Sequence, residues 1–327
     1  MINGYQTHIL NMYEKIRDNE TKALNNRKKE IEKLYPEISD IDNEIQKLSL
    51  KMSLSILRSS KANETLADYK DKITNLRAKK YELLVSKGYP QDYLTLHYKC
   101  NKCKDTGFIG QKKCSCYKDK LIQIYYKDSH LEDILKEKNF DSFNLSLFST
   151  HKIGDEKYSP RKNMENILQY TVKDYLPNFR NINTNLLFYG DPGSGKSFLS
   201  YCIAKELLDS GNLVVYKTAD EVISDLKDIK FNNNYRLEEF LIDCDLLIID
   251  DLGAEQKNEF ALTELFNLLN KKLLKNKKML ISTNLSLPTI CQIYSERFSS
   301  RLLGEFKLFK FYSEDIRITL NLKNQKK

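Results

Sequence analysis

The sequence predicts an α/β fold, a parallel sheet with helices on both faces, preceded by a helical domain and a small metal-binding segment. Three observations predict it. From residue 185 onward, apolar strand-like runs alternate with helical patterns. A glycine-rich loop ending in Lys196 and Ser197 stands between the first strand and the first helix of that series. Ahead of it, four cysteines crowd between Cys100 and Cys116, after residues 1–95, which read as helix almost throughout.

A chain of 327 residues is more than one typical domain, so two or three are expected. Its 41% hydrophobic content suffices for a sizeable core, and its 30% charged content points to long solvated helices. The net charge of +8 suits a nucleic-acid or acidic-protein partner, and equally an ordinary Lys- and Asn-rich cytosolic chain, so charge alone decides nothing. The N-terminus shows no basic region followed by an apolar run and a small-residue cleavage site. No stretch reaches the roughly 18 to 20 apolar residues of a membrane helix. A soluble, cytoplasmic protein with no membrane partner is expected, and there the seven cysteines are not expected to form disulfides.

Residues 1–95 make the first expected domain. Ile38, Ile41, Ile45, Leu48 and Met52 step by threes and fours, the seam of a heptad-like helix. Pro36 suits that helix's first turn, where its missing N–H is no loss. The run 59–63 breaks the pattern, with Asn63 as cap of a new helix whose stripe is Leu66, Tyr69, Ile73, Leu76 and Leu83. Gly88 followed by Pro90 is a stop signal. With a further helix over 5–34 these form a small bundle. Its stripes serve either mutual packing or the docking of a partner protein.

Residues 121–162 read as a linker and lead-in to a final domain over 163–327. Strands are expected at 185–189, 213–217, 246–250 and 279–282, with helices at 197–210, 221–227 and 259–274. Strands apolar throughout indicate a sheet covered on both faces.

The loop after the first strand reads Gly190, Asp191, Pro192, Gly193, Ser194, Gly195, Lys196, Ser197. This is a full G-x-x-x-x-G-K-[ST] match in the strand–loop–helix setting the motif requires. Its glycines let consecutive N–H groups line one anion-sized hollow, and the helix adds its positive end. Lys196 is expected to reach the β- and γ-phosphates and Ser197 to ligate Mg²⁺. A nucleoside triphosphate site follows, with ATP and Mg²⁺ as cofactors.

The strand 246–250 ends in two carboxylates. Asp250 is expected to hold the Mg²⁺, mostly through its water shell. Asp251 is expected either to polarise the attacking water or to cap the helix that follows. Many proteins with this motif order carry glutamate there, and the shorter aspartate predicts slow, switch-like hydrolysis. Ser282, Thr283 and Asn284 end a third strand, where Asn284 can bond the water or the γ-phosphate. Arg297 and Arg301 stand four apart on one helix face. Guanidinium groups suit transition-state charge. Arg301 is the candidate finger offered to a neighbouring subunit, and Arg317 a candidate sensor within its own. A surface salt bridge is the other reading of each.

Cys100-x2-Cys103 and Cys114-x-Cys116 supply four thiolates on two tight turns, the tetrahedral set of a closed structural Zn²⁺ site. Residues 96–120 are too few to make a core, so the metal would hold them together. His97 is an alternate ligand. Cys202, Cys244 and Cys291 read as buried thiols. Lys99, Lys102, Lys104, Lys112 and Lys113, with Phe108 and Tyr117, suit single-stranded DNA, or else a solvated loop or docking knob.

The order of these parts resembles the DnaC/DnaI-type helicase loaders of bacteria and their phages, which are AAA+ ATPases. The likeness rests on the loop 190–197, on Asp250 and Asp251 followed by Leu252, Gly253, Ala254 and Glu255, on Ser282-Thr283-Asn284, and on Glu296, Arg297 and Arg301. The run Asn139, Phe140, Asp141, Ser142, Phe143, Asn144 looks like that family's lead-in to its ATPase core. The cysteine segment, with Asp105-Thr106-Gly107, looks like the zinc element of Gram-positive loaders. The resemblance implies that the N-terminal region binds the hexameric replicative DNA helicase. It also implies that the ATPase domains self-associate with ATP between neighbours, contact single-stranded DNA, and release the helicase on hydrolysis. The positions it carries over are Lys196, Ser197, Asp250, Asp251, Asn284, Arg301 and Arg317. No DNA-contacting residue carries over, because 227–236 holds no close motif. Transposition-helper ATPases of the IstB type share such a core. The zinc segment and long helical N-terminus favour the loader over such helpers; a non-enzymatic ATP-binding adaptor, against which Lys196, Asp250 and Arg301 argue, and a DnaA-type initiator are further readings.

Overall fold

The computed structural model describes residues 2–58, 63–128, 131–256 and 258–325. The chain divides into two compact units, residues 8–116 and residues 117–327 with 1–7. Among the described residues no helix is long and apolar enough to cross a membrane.

In the unit of residues 8–116, α1 (Ile2–Leu34), α2 (Pro36–Arg58) and α3 (Asn63–Ser86) carry the helical part. The stripes of α2 and α3 pack on one another. Ile38 clusters with Leu84 and, from α1, Ile31, while Ile41 and Ile45 cluster with Ile73. Early α2 meeting late α3 is the order of antiparallel neighbours, and Lys80 reaches Asp42 at 2.6 Å in the same sense. Gly88 stops α3 at φ +85°. Its N–H bonds Val85 O at 2.9 Å and that of Tyr89 bonds Leu84 O at 3.0 Å, satisfying carbonyls the helix leaves open. The expected break over 59–63 falls on residues 59–62, outside the described residues, as does the side chain of Asn63. A two-residue hairpin, β1 (Phe108–Ile109) with β2 (Lys112–Lys113), follows.

In the other unit, α4 (Ser115–Asp128), α5 (Leu131–Glu137), a 3-10 turn (Leu145–Leu147) and α6 (Pro160–Gln169) lead in. Then come β3 (Asn185–Gly190), α7 (Lys196–Asp209), β4 (Val214–Thr218), α8 (Ala219–Asn232), α9 (Tyr235–Asp243), β5 (Leu246–Leu252) and α10 (Glu259–Leu274). The chain closes with β6 (Lys278–Thr283), α11 (Leu287–Ile293), α12 (Glu296–Glu305), β7 (Phe306–Phe311) and α13 (Ile316–Gln325). The five strands make one sheet, β4-β5-β6-β3-β7, parallel at every pairing. Leu246, Leu247, Ile248 and Ile249 are all buried. Successive strand residues face opposite sides, so helices cover both faces. This order sets the carboxyl ends of β3, β5 and β6 side by side, where the loops of interest leave the sheet.

The strand β7 and the helix α9 are not among the expected elements. β7 is an edge strand carrying Lys307 and Lys310 on exposed positions, so it lacks the all-apolar signature of its buried neighbours. Two expectations about side chains also fail. Cys291 is exposed, on a short helix that buries only Ile290, whereas Cys202 and Cys244 are buried as expected. Tyr117 is buried rather than presented beside the lysines of the cysteine loop.

Candidate functional site

The loop between β3 and α7 is held from both sides. Gly190 sits at φ +127°, and a Cβ there would lie 1.9 Å from Phe311 O of β7. The N–H of Asp191 bonds that same carbonyl at 3.0 Å. At Gly193, φ +69°, a Cβ would fall 2.2 Å from the carboxylate of Asp315, and the Ile316 N–H donates to Gly193 O at 3.1 Å. The backbone clash leaves room for glycine alone at 190, and the positive φ favours it at 193. Lys196, 4% exposed, donates its ammonium to Gly190 O at 2.8 Å and Asp191 O at 2.7 Å. Burial lowers it to about 8, against the pull of Asp251, Asp191 and Asp250.

Asp250 is a three-way acceptor. One carboxylate oxygen takes the Ser197 hydroxyl at 3.1 Å and that of Ser282. The other takes the Tyr216 hydroxyl at 2.6 Å. In a regular strand Asp251 would point to the opposite face. Instead the pairing of β5 with β6 shifts register between Ile249 and Leu252, and Asp251 adopts a left-handed backbone at φ +56°. Its N–H donates to Ser282 Oγ at 3.0 Å, and its carboxylate accepts from Asn284 Nδ2 at 3.1 Å. Burial and the neighbouring Asp250 raise its pKa above the usual carboxylate value.

Lys196, Ser197, Asp251, Asn284 and Arg317 line one cavity of about 380 Å³. Its other wall is apolar: Phe143, Leu147 and Phe148 face Ile316 and Leu320 of α13. Of the lead-in run, Ser142, Phe143 and Asn144 line the same cavity. Arg317 is steadied by Asp315, which accepts its backbone N–H at 2.9 Å and Nε at 3.4 Å. Arg301 is elsewhere. It projects from α12 over the Phe266 ring at 5.7 Å and pairs with no carboxylate among the described residues. It borders a second cavity of about 320 Å³ with Asn185, Lys277 and Glu305, at the amino ends of β3 and β6. Arg297, on the same helix, is exposed.

Sequence reading missed several of these groups. Tyr216 is one, a hydroxyl-bearing residue at a buried position of β4. Glu255 is another, quoted above only as part of a likeness. It is 3% exposed; one oxygen takes the Gly253 N–H at 2.7 Å and the other the hydroxyl of Tyr294. Tyr294 stacks on Phe298 of α12 at 4.8 Å, so the turn after Asp251 is tied to the helix bearing Arg297 and Arg301. A third is an aromatic patch. Phe231 and Tyr235 are 70% and 69% exposed, Phe231 stacks on Phe260 at 5.6 Å, and exposed Lys227 and Arg236 flank them.

In the unit of residues 8–116, the sulfurs of Cys100, Cys103, Cys114 and Cys116 all lie within 4.8 Å of one another. The Cys103–Cys116 and Cys100–Cys114 pairs are 3.4 and 3.9 Å apart, too long for disulfides. They bracket the roughly 3.8 Å expected between thiolates set tetrahedrally about 2.3 Å from a zinc ion, so the donor set fits that metal. The knuckle turns through Lys104 and Asp105, at φ +51° and +57°. Asp105 accepts the N–H groups of Lys99 and Cys100, each at 2.8 Å. Hydrogen bonding from the Cys103 backbone lowers the Cys100 thiol to about 7, while burial pushes Cys116 up to about 12. His97 faces away, its Nε2 3.0 Å from Asp92 O and 3.5 Å from the Asp92 carboxylate.

Residues 147–303 match the family model described as IstB-like ATP binding protein. The replicative helicase loader DnaC of Escherichia coli (strain K12) is 26% identical over 154 residues, 45% of this chain and 63% of that protein. The chromosomal replication initiator DnaA of Campylobacter fetus is 26% identical over 181 residues, 55% of this chain and 39% of the initiator. The phage-like element PBSX protein XkdC of Bacillus subtilis is 24% identical over 243 residues, 68% of this chain and 84% of that protein. The chain thus spans less than two thirds of the DnaC and DnaA relatives. Over these residues it is similar to the IstB-like ATP binding proteins and to the DnaC-type loaders.

Proposed function

We propose that this chain is an ATP-dependent loader that binds a replicative DNA helicase and helps place it on single-stranded DNA. The observation that carries the reading is the convergence of Lys196, Ser197, Asp251, Asn284 and Arg317 on one cavity while Arg301 is turned outward. Such a site binds and senses ATP within one subunit and lacks a finger unless a neighbour supplies it. Lys196 and the loop N–H groups hold the phosphates, and the adenine fits the apolar wall of Phe143, Phe148 and Leu320. Ser197 and Asp250 would hold Mg²⁺, which offsets charge on the phosphate oxygens. Asp251 and Asn284 orient the attacking water. Residues 1–95 are the helicase-docking domain. Residues 96–120 are its zinc-closed extension, the metal supplying the bonds that a coreless loop lacks. Residues 121–162 lead into the ATPase domain, 163–327, which self-associates through Arg301. The patch of Phe231 and Tyr235 offers stacking faces beside positive charge, a combination that suits single-stranded DNA.

A transposition helper is the second reading, favoured by the family description matched over 147–303. One experiment separates the two. The purified chain is mixed with the host's replicative helicase and ATP·Mg²⁺ and followed by size exclusion with light scattering. A defined complex, lost on removing residues 1–95, is expected. No complex, with DNA binding and hydrolysis intact, would turn the assignment to the helper.

The site also predicts a pH dependence. Bound phosphate favours the charged form of Lys196, whose amine is lowered to about 8 in the nucleotide-free protein. Binding above that pH must take up a proton. Affinity for a fluorescent ATP analogue is therefore expected to be level below about pH 7 and to fall up to about tenfold per unit above pH 8. A level profile through about pH 9.5 would place the phosphates away from Lys196.

A further inference from the structure

We propose that Tyr13 of α1 is a positioning residue for the metal of the cysteine cluster, donating its hydroxyl hydrogen to the Cys116 thiolate and so fastening the first helix to the knuckle. The inference rests on the metal reading given above. Tyr13 is 1% exposed, and its hydroxyl lies 3.0 Å from Cys116 Sγ. Cys116 Sγ is in turn 3.4 Å from Cys103 Sγ. The ring is seated against the knuckle backbone: a Cβ on Gly107 would fall 2.5 Å from its edge, so glycine at 107 makes room for Tyr13. One helical turn on, Arg17 donates from Nη1 to Asp105 O at 2.7 Å. Asp105 is the residue whose carboxylate gathers the N–H groups of Lys99 and Cys100. Residues 13 and 17 share a helix face. That face grips both ends of the cluster, Cys116 through the phenol and the Cys100 side through the guanidinium.

Chemistry favours the direction of the bond. A metal-bound sulfur is a thiolate and has no proton to give, so the phenol is the donor. Four thiolates on one divalent ion, two of them buried, leave a net charge of about −2, which neutral donors relieve. A donor in this position both orients the sulfur and moderates the electron density it pushes onto the metal. Metal binding and the placement of α1 are therefore one equilibrium. Occupancy holds the helix on the knuckle, and the helix holds the fourth ligand.

The test uses the full-length chain with zinc and, as a spectroscopic probe, Co²⁺. Tyr13→Phe keeps the ring against Gly107 and removes only the donor. Zinc affinity, measured by chelator competition, is expected to fall at least about tenfold. The thiolate-to-cobalt charge-transfer bands should move to lower energy, with far-UV circular dichroism and ATP hydrolysis unchanged. In the wild type, chelating the zinc should speed amide exchange around Tyr13 in α1, a readout that needs no variant. Equal affinity and equal spectra in a wild type and variant that each bind one ion would overturn the role of Tyr13 alone. A wild type that takes up neither zinc nor cobalt would overturn the metal reading, and this inference with it.

Discussion

Replacing Lys196 with alanine is expected to lower ATP hydrolysis by about 10² to 10³-fold or more, the range seen when one preorganised charge-stabilising donor is removed. The side chain is buried against the loop carbonyls of Gly190 and Asp191, and its charge is kept there at a desolvation cost that lowers its pKa to about 8. A phosphate is the partner that removes this cost, so binding as well as turnover depends on it. Phosphate release and titration with a fluorescent nucleotide should both report the loss, with circular dichroism unchanged. Retention of more than a tenth of the wild-type rate would mean that other groups neutralise the phosphates.

Arg301→Ala is expected to fail differently. A finger supplied in trans contributes about 10³ to 10⁵ in rate, and Arg301 lies away from its own cavity. Hydrolysis should therefore drop at least about 10³-fold while each subunit's affinity for ATP stays the same. The decisive arm is mixing. Arg301→Ala subunits keep an intact cavity, and Lys196→Ala subunits keep an intact finger, so the mixture should regain activity that neither has alone. Arg317 lines the cavity of its own chain, and Arg317→Ala mixed with Lys196→Ala should regain none. A mixture of the first kind that stays inactive would remove Arg301 from the role.

What the sequence made legible follows from distance along the chain. The strand, glycine loop and helix around Lys196 lie within some two dozen residues, and their spacing is itself the signal. The cysteine cluster is similar, with all four ligands inside residues 100–116. The partners of Asp250 were not legible: Tyr216 and Ser282 are 34 and 32 positions away, and meet it only because β5 lies between β4 and β6. The apolar wall joins Phe143 and Phe148 to Ile316 and Leu320, remote stretches with no shared pattern. The stripes of α2 and α3 were readable, whereas the insertion of Tyr13 beside Cys116, 103 positions on, was not.

The bulge at Asp251 bears on why this residue is an aspartate. A left-handed backbone is tolerated by aspartate and asparagine more readily than by longer side chains. The main chain thus chooses the residue before the chemistry does. A glutamate at this position would carry the same twist with one more methylene to seat against Asn284. A change to the longer acid would be easier once the strand ran straight through this position. The choice of acid at this position is in this sense inherited from a register slip between two strands.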